Sequence, residues 1–115
     1  MKIQRTLVTL MVALGMLLAD MIAVHAFPPV PCSFYGAVMV NGANAPLGTP
    51  VSAWINGVRY AVQPAGLYEG STIYSLVVPG DDPATAQIEG GAAGDTVIFH
   101  IGDHSAEQSA AWGSG

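Results

Sequence analysis

Four carboxylates in one stretch are the residues best suited to bind a ligand. Asp81, Asp82, Glu89 and Asp95 lie in or beside a segment, 81–94, that is rich in glycine. Calcium takes six to eight oxygen ligands, and a loop can supply carboxylate and carbonyl oxygens together. The spacing differs from that of the EF-hand loop, and an Asp-Asp-Pro sequence also favours a turn held by side-chain hydrogen bonds. The main interpretation is therefore a solvated loop, with a calcium site at these four residues as the alternative.

Two histidines flank a second candidate, the turn at Gly102 and Asp103. His100 and His104 could share zinc or copper with a nearby carboxylate. In a hairpin with a two-residue turn, however, residue 101 faces residue 104 and residue 100 faces residue 105. The histidines are then not opposite each other, and we expect no transition-metal site here.

The same turn contains the three residue types of a hydrolytic triad, namely Ser105, His100 and Asp103. In such a triad the histidine must lie between the nucleophile and the orienting acid, which three neighbours around one turn cannot easily arrange. The chain has no Gly-x-Ser-x-Gly sequence. We expect no catalytic residue and no cofactor, so that an exported hydrolase ranks last among the possible functions.

Aromatic residues offer a further kind of site, because an exposed flat row of rings can bind sugars. Trp54 alternates with Val51, Ala53 and Ile55, which places it on the other side of its strand. Packing within the core or against a neighbouring module is the main interpretation for most of the aromatic residues, and for Trp112 in particular. A carbohydrate-binding surface at Trp54 and Tyr60 is the alternative.

The elements that must position these residues are strands. Period-two alternation predicts strands at 33–40, 51–55, 58–63, 67–68, 73–78, 96–101 and 106–112. Asn56-Gly57 predicts a tight hairpin, and 43–50 and 81–94 read as loops. After the leader no segment has a helical period. The fold class is all-β, and six to seven short strands favour a Greek-key sandwich or a small barrel.

The N-terminal region has the three parts of a secretory signal peptide, predicted to be helical, at residues 1–26. Lys2 and Arg5 precede an apolar run at 7–18, and Val24-His25-Ala26 offers a cleavage site. Since this run of 12 residues is shorter than the roughly 20 that a membrane helix needs, we expect no stable membrane span after cleavage. A proline-rich linker at 27–32 and one domain at 33–115 follow, in a secreted or cell-surface protein.

The predicted mature chain is acidic and has a single cysteine. Its only basic residue besides histidine is Arg59, against seven acidic residues. It would therefore repel nucleic acid and anionic membrane surfaces. Cys32 has no partner for an internal disulfide.

Several turns and alternating segments carry a family resemblance: 33–38, Asn41-Gly42, 45–49, 51–57, 65–68, 94–99 and 111–115. In this order they resemble the immunoglobulin-like, prealbumin-type modules of exported prokaryotic surface proteins. The carboxypeptidase regulatory-like domain is the nearest named relative. The resemblance implies a seven-stranded sandwich that serves as a spacer, adhesive or scaffold beside other modules and has no catalytic residues.

Such modules usually continue into a further strand after the segment that resembles 111–115. We therefore expect either that the chain is a fragment of a longer protein or that the domain lacks its last strand, and in the second case a sheet edge is open for a strand from another chain. The predicted function is a non-catalytic extracellular structural or adhesion module. The predicted partners are other surface modules or an extracellular ligand. The alternative function is a carbohydrate- or calcium-binding module.

Overall fold

A computed structural model describes residues 29–114 of the chain, and these residues form nine strands and no helix. The strands are Cys32–Ala37 (β1), Met39–Val40 (β2), Ala43–Asn44 (β3), Pro50–Ile55 (β4), Val58–Pro64 (β5), Gly66–Tyr68 (β6), Ser71–Val78 (β7), Thr96–Ile101 (β8) and His104–Ala111 (β9). The all-β prediction is confirmed. The predicted signal peptide and the start of the linker lie outside the described residues. Within residues 29–114 no helix could cross a membrane.

The strands form two antiparallel sheets and a small hairpin. One sheet has three strands in the order β1-β7-β6, the other has four in the order β5-β4-β8-β9, and β2 pairs with β3. β1 and β7 run in register from Cys32 opposite Val78 to Ala37 opposite Ile73. The pairing of β4 with β8 joins the β4–β5 and β8–β9 hairpins into one sheet, with Val51 opposite Ile101.

Two of these hairpins follow the sequence prediction closely. Asn56 and Gly57 have φ angles of 49° and 78°, the left-handed conformation that a tight β4–β5 turn requires. In the β8–β9 hairpin His100 lies opposite Ser105 and Ile101 lies opposite His104. The predicted register is thus confirmed, and the two histidines are not paired across the strands.

The core lies between the two sheets. Phe34 of β1 and Tyr74 of β7 contact Phe99 of β8, with ring centroids 5.3 Å and 5.8 Å apart. The buried aliphatic side chains come from both sheets and include Val51, Ala53, Leu76, Val78 and Val97. Because side chains alternate along a strand, each sheet has one face in this core and one face outward. The arrangement is compatible with a β-sandwich.

Near the N-terminus of the described region the structure differs from the predicted strands. The strand predicted at 33–40 is interrupted at Val38, which is buried and donates its main-chain N–H to the carbonyl oxygen of Thr72 at 2.8 Å. Part of the predicted loop at 43–50 forms β3, and the hydroxyl of Thr72 donates to the carbonyl oxygen of Ala45 at 2.6 Å. Cys32, placed in the linker by the sequence prediction, begins β1 and is buried in the core.

Candidate functional site

The acidic segment is a loop between β7 and β8 whose two ends are held together. Gly80 and Gly91 form a parallel bridge. The N–H of Asp81 donates to the carbonyl oxygen of Gly91, and the N–H of Gly91 donates to that of Pro79, both at 2.9 Å. Residues 81–90 therefore leave the framework and return to it at nearly the same place, as in a compact surface loop.

The four predicted calcium ligands accept hydrogen bonds from the same region of the chain. Asp81 accepts from the main-chain N–H of Glu89 at 3.1 Å, Asp82 from that of Ala84 at 2.9 Å, and Asp95 from that of Ala92 at 2.9 Å. Glu89 accepts from the hydroxyl of Thr85 at 2.8 Å. These contacts satisfy donors of the loop, which is a structural role for the carboxylates.

The structure does not bring the four carboxylates together as a metal site. Within residues 29–114 no group of three or more His, Cys, Asp or Glu side chains is arranged to hold a metal ion. The interpretation of 81–94 as a solvated loop agrees with this geometry, and calcium binding at Asp81, Asp82, Glu89 and Asp95 stays a prediction.

The side chain of Trp112 packs against the two ends of this loop. Its side chain is 3% exposed, in agreement with the core position expected from the sequence. A Cβ atom built on Gly91 would lie 2.5 Å from Cγ of Trp112, and one built on Gly80 would lie 3.1 Å from Cη2. Because only glycine allows this approach, the two bridge residues pack directly on the indole ring. The sequence shows these glycines, but not that they pack on a tryptophan 21 positions after Gly91.

A second group of polar and aromatic side chains lies on the outward face of the four-stranded sheet. The Trp54 ring stacks on the His100 ring with centroids 4.9 Å apart and an interplanar angle of 22°. The indole N–H of Trp54 donates to the hydroxyl of Ser52 at 2.8 Å, and the hydroxyl of Ser105 lies 3.4 Å from Nε2 of His100. We call Ser52, Trp54, His100 and Ser105 the outer cluster. Ser52 was not singled out by the sequence, although it shares the outward side of β4 with Trp54.

Tyr60, the second residue predicted for a carbohydrate surface, lies elsewhere. The pairing of β4 with β5 shifts between Ala53 and Trp54, so that Ala53 faces Ala61 while Trp54 faces Arg59. The bulge leaves Tyr60 without a residue opposite it, and its side chain packs against the core. The structure therefore does not bring Trp54 and Tyr60 together on one surface.

Of Ser105, His100 and Asp103, only Ser105 and His100 have side chains in contact with each other. Among residues 29–114 the His100 ring has no carboxylate hydrogen-bond partner, and one of its faces is occupied by Trp54. A histidine acting as a general base needs an orienting group as well as a nucleophile. The arrangement in the outer cluster is better described as packing of polar side chains on a sheet surface.

No protein-family model, curated protein or solved structure matches this chain. The family resemblance accordingly rests on the turns and alternating segments of the sequence itself.

The outward side of the three-stranded sheet is unusual in having no charge. None of β1, β6 and β7 contains an Asp, Glu, Lys, Arg or His residue. Tyr35 is 83% exposed and Val77 is 57% exposed, on the side opposite to the buried Leu76 and Val78. We call Ser33, Tyr35, Ala37, Ser75 and Val77 the uncharged face. The sequence could have indicated it, since outward positions of an antiparallel sheet are usually polar and often charged.

Proposed function

We propose that the protein is an exported, non-catalytic module with an immunoglobulin-like, prealbumin-type Greek-key sandwich. Its role is structural or adhesive, outside the cell or at the cell surface. The fold is supported by two antiparallel sheets in which β1 pairs with β7 and β4 pairs with β8, since such non-consecutive pairing is typical of Greek-key folds. The signal-peptide pattern at 1–26 supports export.

The uncharged face is the observation that carries the functional part of this proposal. Exposed apolar side chains scattered singly are ordinary, but a sheet face that combines them with no charge is typical of a protein-binding surface. Tyrosine in particular offers a large contact area at a low cost in conformational entropy. Tyr35 and Val77 would be the central contact residues.

The arrangement of the polar residues supports a non-catalytic role. The carboxylates of the 81–94 loop bind donors of that loop, and the outer cluster has a serine and a histidine without an acid. A surface for contact thus has more support than a site for chemistry.

Export and adhesion can be tested separately. Antibodies against the protein should detect it in the medium or on intact cells, and surface proteolysis should remove the cell-bound signal. In an attachment assay on protein-coated beads, a double variant with Tyr35→Ser and Val77→Ser should lose most attachment. The matched control Leu47→Ser changes an exposed apolar residue outside the three-stranded sheet and should retain attachment. Retention of the protein in the cytoplasm, or equal attachment of all variants, would refute the proposal.

Carbohydrate binding is the second candidate, and the geometry of Trp54 favours it. The ring is held in one orientation by its hydrogen bond to Ser52 and by its stack on His100. A ring of fixed orientation loses little entropy when it stacks on a sugar. Binding to a glycan panel that fails in Trp54→Ala, and persists in His104→Ala, would replace the adhesive proposal with this one.

A further inference from the structure

β1 has an open edge. In the described part of the chain it pairs with β7 on one side and with no strand on the other. The N–H of Val38 donates to the carbonyl oxygen of Thr72, the next pair in the register of β1 and β7. In antiparallel strands the main-chain groups of successive residues point to alternate sides. Consequently the N–H and C=O groups of Ser33, Tyr35 and Ala37 point away from β7, towards the open edge.

The usual devices that protect a sheet edge are missing from β1. Natural edge strands are interrupted by charged residues, proline or bulges, which prevent pairing with another chain. β1 has neither a charged residue nor a proline, and its pairing with β7 has no register shift. The edge therefore offers six regular hydrogen-bonding groups over about 17 Å, the span of a strand of this length.

Within residues 29–114, the position beside β1 faces a strand that no other strand covers. β5 continues into β6 through Ala65, which puts these two strands at one side of the fold. The contact between Phe34 and Phe99 puts β1 over β8, so that β1 and β9 lie at the opposite side. Since one sheet has three strands and the other four, the position opposite β9 is empty within the described residues.

The burial of the last two strands agrees with this. β8 buries Val97 and Phe99, whereas β9 in the described structure has no buried residue. Ala106 and Ala110 of β9 pack against the core but remain partly exposed. A fourth strand beside β1 would cover them.

We propose that an extended segment of another polypeptide adds to β1 as this fourth strand. The inference rests on the proposed role as an interaction module and names the chemistry of its partner. The segment has five or six residues without proline, its main chain bonds to Ser33, Tyr35 and Ala37, and alternate apolar side chains face Ala106 and Ala110. Affinity comes from main-chain hydrogen bonds and specificity from alternate side chains, as in other cases of strand addition.

A second copy of the folded domain does not fit the same position. If β1 paired with the β1 strand of a second copy, β9 of the second copy would lie opposite β1 of the first copy. That position is already occupied by β8 of the first copy. The geometry therefore favours a lone extended segment over a symmetric dimer.

Amide hydrogen exchange measured by NMR on the purified protein tests the site directly. The probe is an acetylated hexapeptide of alternating threonine and valine. At saturation the amides of Ser33, Tyr35 and Ala37 should exchange at least about tenfold more slowly, because each gains a hydrogen bond. The amides of Phe34 and Gly36, which already bond to β7, should change little.

A pair of variants at one position supplies the matched control. Tyr35→Pro removes the N–H that points to the open edge and should weaken peptide binding at least tenfold, since proline is tolerated on edge strands. Tyr35→Thr keeps this N–H and should bind like the unchanged protein. The exchange map of the unchanged protein remains decisive if the proline variant fails to fold.

Three results would overturn the inference: no protection of the β1 amides by the peptide, protection confined to β6 or β9, or a dimer that buries β1 without peptide. Loss of bead attachment in the Tyr35→Ser and Val77→Ser variant, together with no peptide binding, would leave the adhesive role standing and remove strand addition alone.

Discussion

The indole N–H of Trp112 donates a hydrogen bond to the main-chain carbonyl oxygen of Val78 at 3.2 Å. Trp112 directly follows the last strand of the four-stranded sheet, and Val78 ends the central strand of the three-stranded sheet. One side chain thus joins the two sheets and, through the glycines that pack on it, fixes the base of the acidic loop.

Gly91→Ala should destabilise the protein. The added methyl group would lie 2.5 Å from Cγ of Trp112, so that either the ring shifts or the Gly80–Gly91 bridge opens. Overpacking of this kind costs about 1–3 kcal/mol in unfolding free energy. Urea denaturation measures the loss. Gly66→Ala is the matched control, because a Cβ there has nothing within 4 Å, and equal midpoints for the two variants would contradict the prediction.

Replacing Trp112 itself should have a larger effect. Trp112→Ala removes a buried ring and should cost about 3–5 kcal/mol. Trp112→Phe keeps part of the apolar contact but leaves the carbonyl oxygen of Val78 without its donor, a loss of about 1–3 kcal/mol. Thermal unfolding followed by circular dichroism should rank the alanine variant below the phenylalanine variant, and both below the unchanged protein. A phenylalanine variant as stable as the parent would show that the hydrogen bond contributes nothing.

Stability should fall at high pH because of Tyr74. Burial of its ring raises the pKa of the phenol above the ordinary value of about 10. The folded protein then holds this proton more tightly than the unfolded chain does. The stabilising effect is complete below pH ~10 and is lost as the pH rises through the folded-state pKa. Chemical denaturation between pH 8 and 11 should show a smaller decline in Tyr74→Phe, whereas Tyr35→Phe, at an exposed position, should decline like the parent.

Substitutions in the acidic loop can distinguish calcium binding from a structural role of its carboxylates. Asp81→Ala removes the acceptor for the N–H of Glu89 and should cost about 0.5–1.5 kcal/mol whether or not calcium is present. The melting temperature should be the same in millimolar calcium and in chelator. Asp103→Ala, in the distant β8–β9 turn, is the control. A rise in melting temperature with calcium that disappears in Asp81→Ala would support the calcium-binding alternative instead.

The sequence predicted the fold class and most strands because the signals for these are local. Thr96–Ile101 is a strand within its predicted bounds, and Asn56-Gly57 forms the predicted turn, since alternation and turn residues act over a few positions. The pairing of His100 with Ser105 across the strands also follows from a two-residue turn. The sequence did not predict the bulge at Ala53 and Trp54, where Tyr60 has no residue opposite it and packs, partly buried, against the core.

Contacts between distant positions account for the remaining differences. Val38 keeps a β7 partner through its N–H bond to Thr72, but its carbonyl oxygen accepts from the N–H of Ala45, and neither residue is a sequence neighbour. The glycines on Trp112 are another case, because the sequence shows small residues but not what approaches them. Residue types can therefore be read from the sequence, whereas the grouping of residues depends on contacts between distant positions.

The closed base of the acidic loop has a consequence for how the chain can vary. Residues 81–90 begin and end at the Gly80–Gly91 bridge, and Ile88 within this loop is 73% exposed. Lengthening such a loop costs little, about 0.6 kcal/mol for each doubling of its length. Foreign sequences could accordingly be grafted between Asp82 and Glu89 while the nine strands stay unchanged, which would make the domain a carrier for displayed peptides.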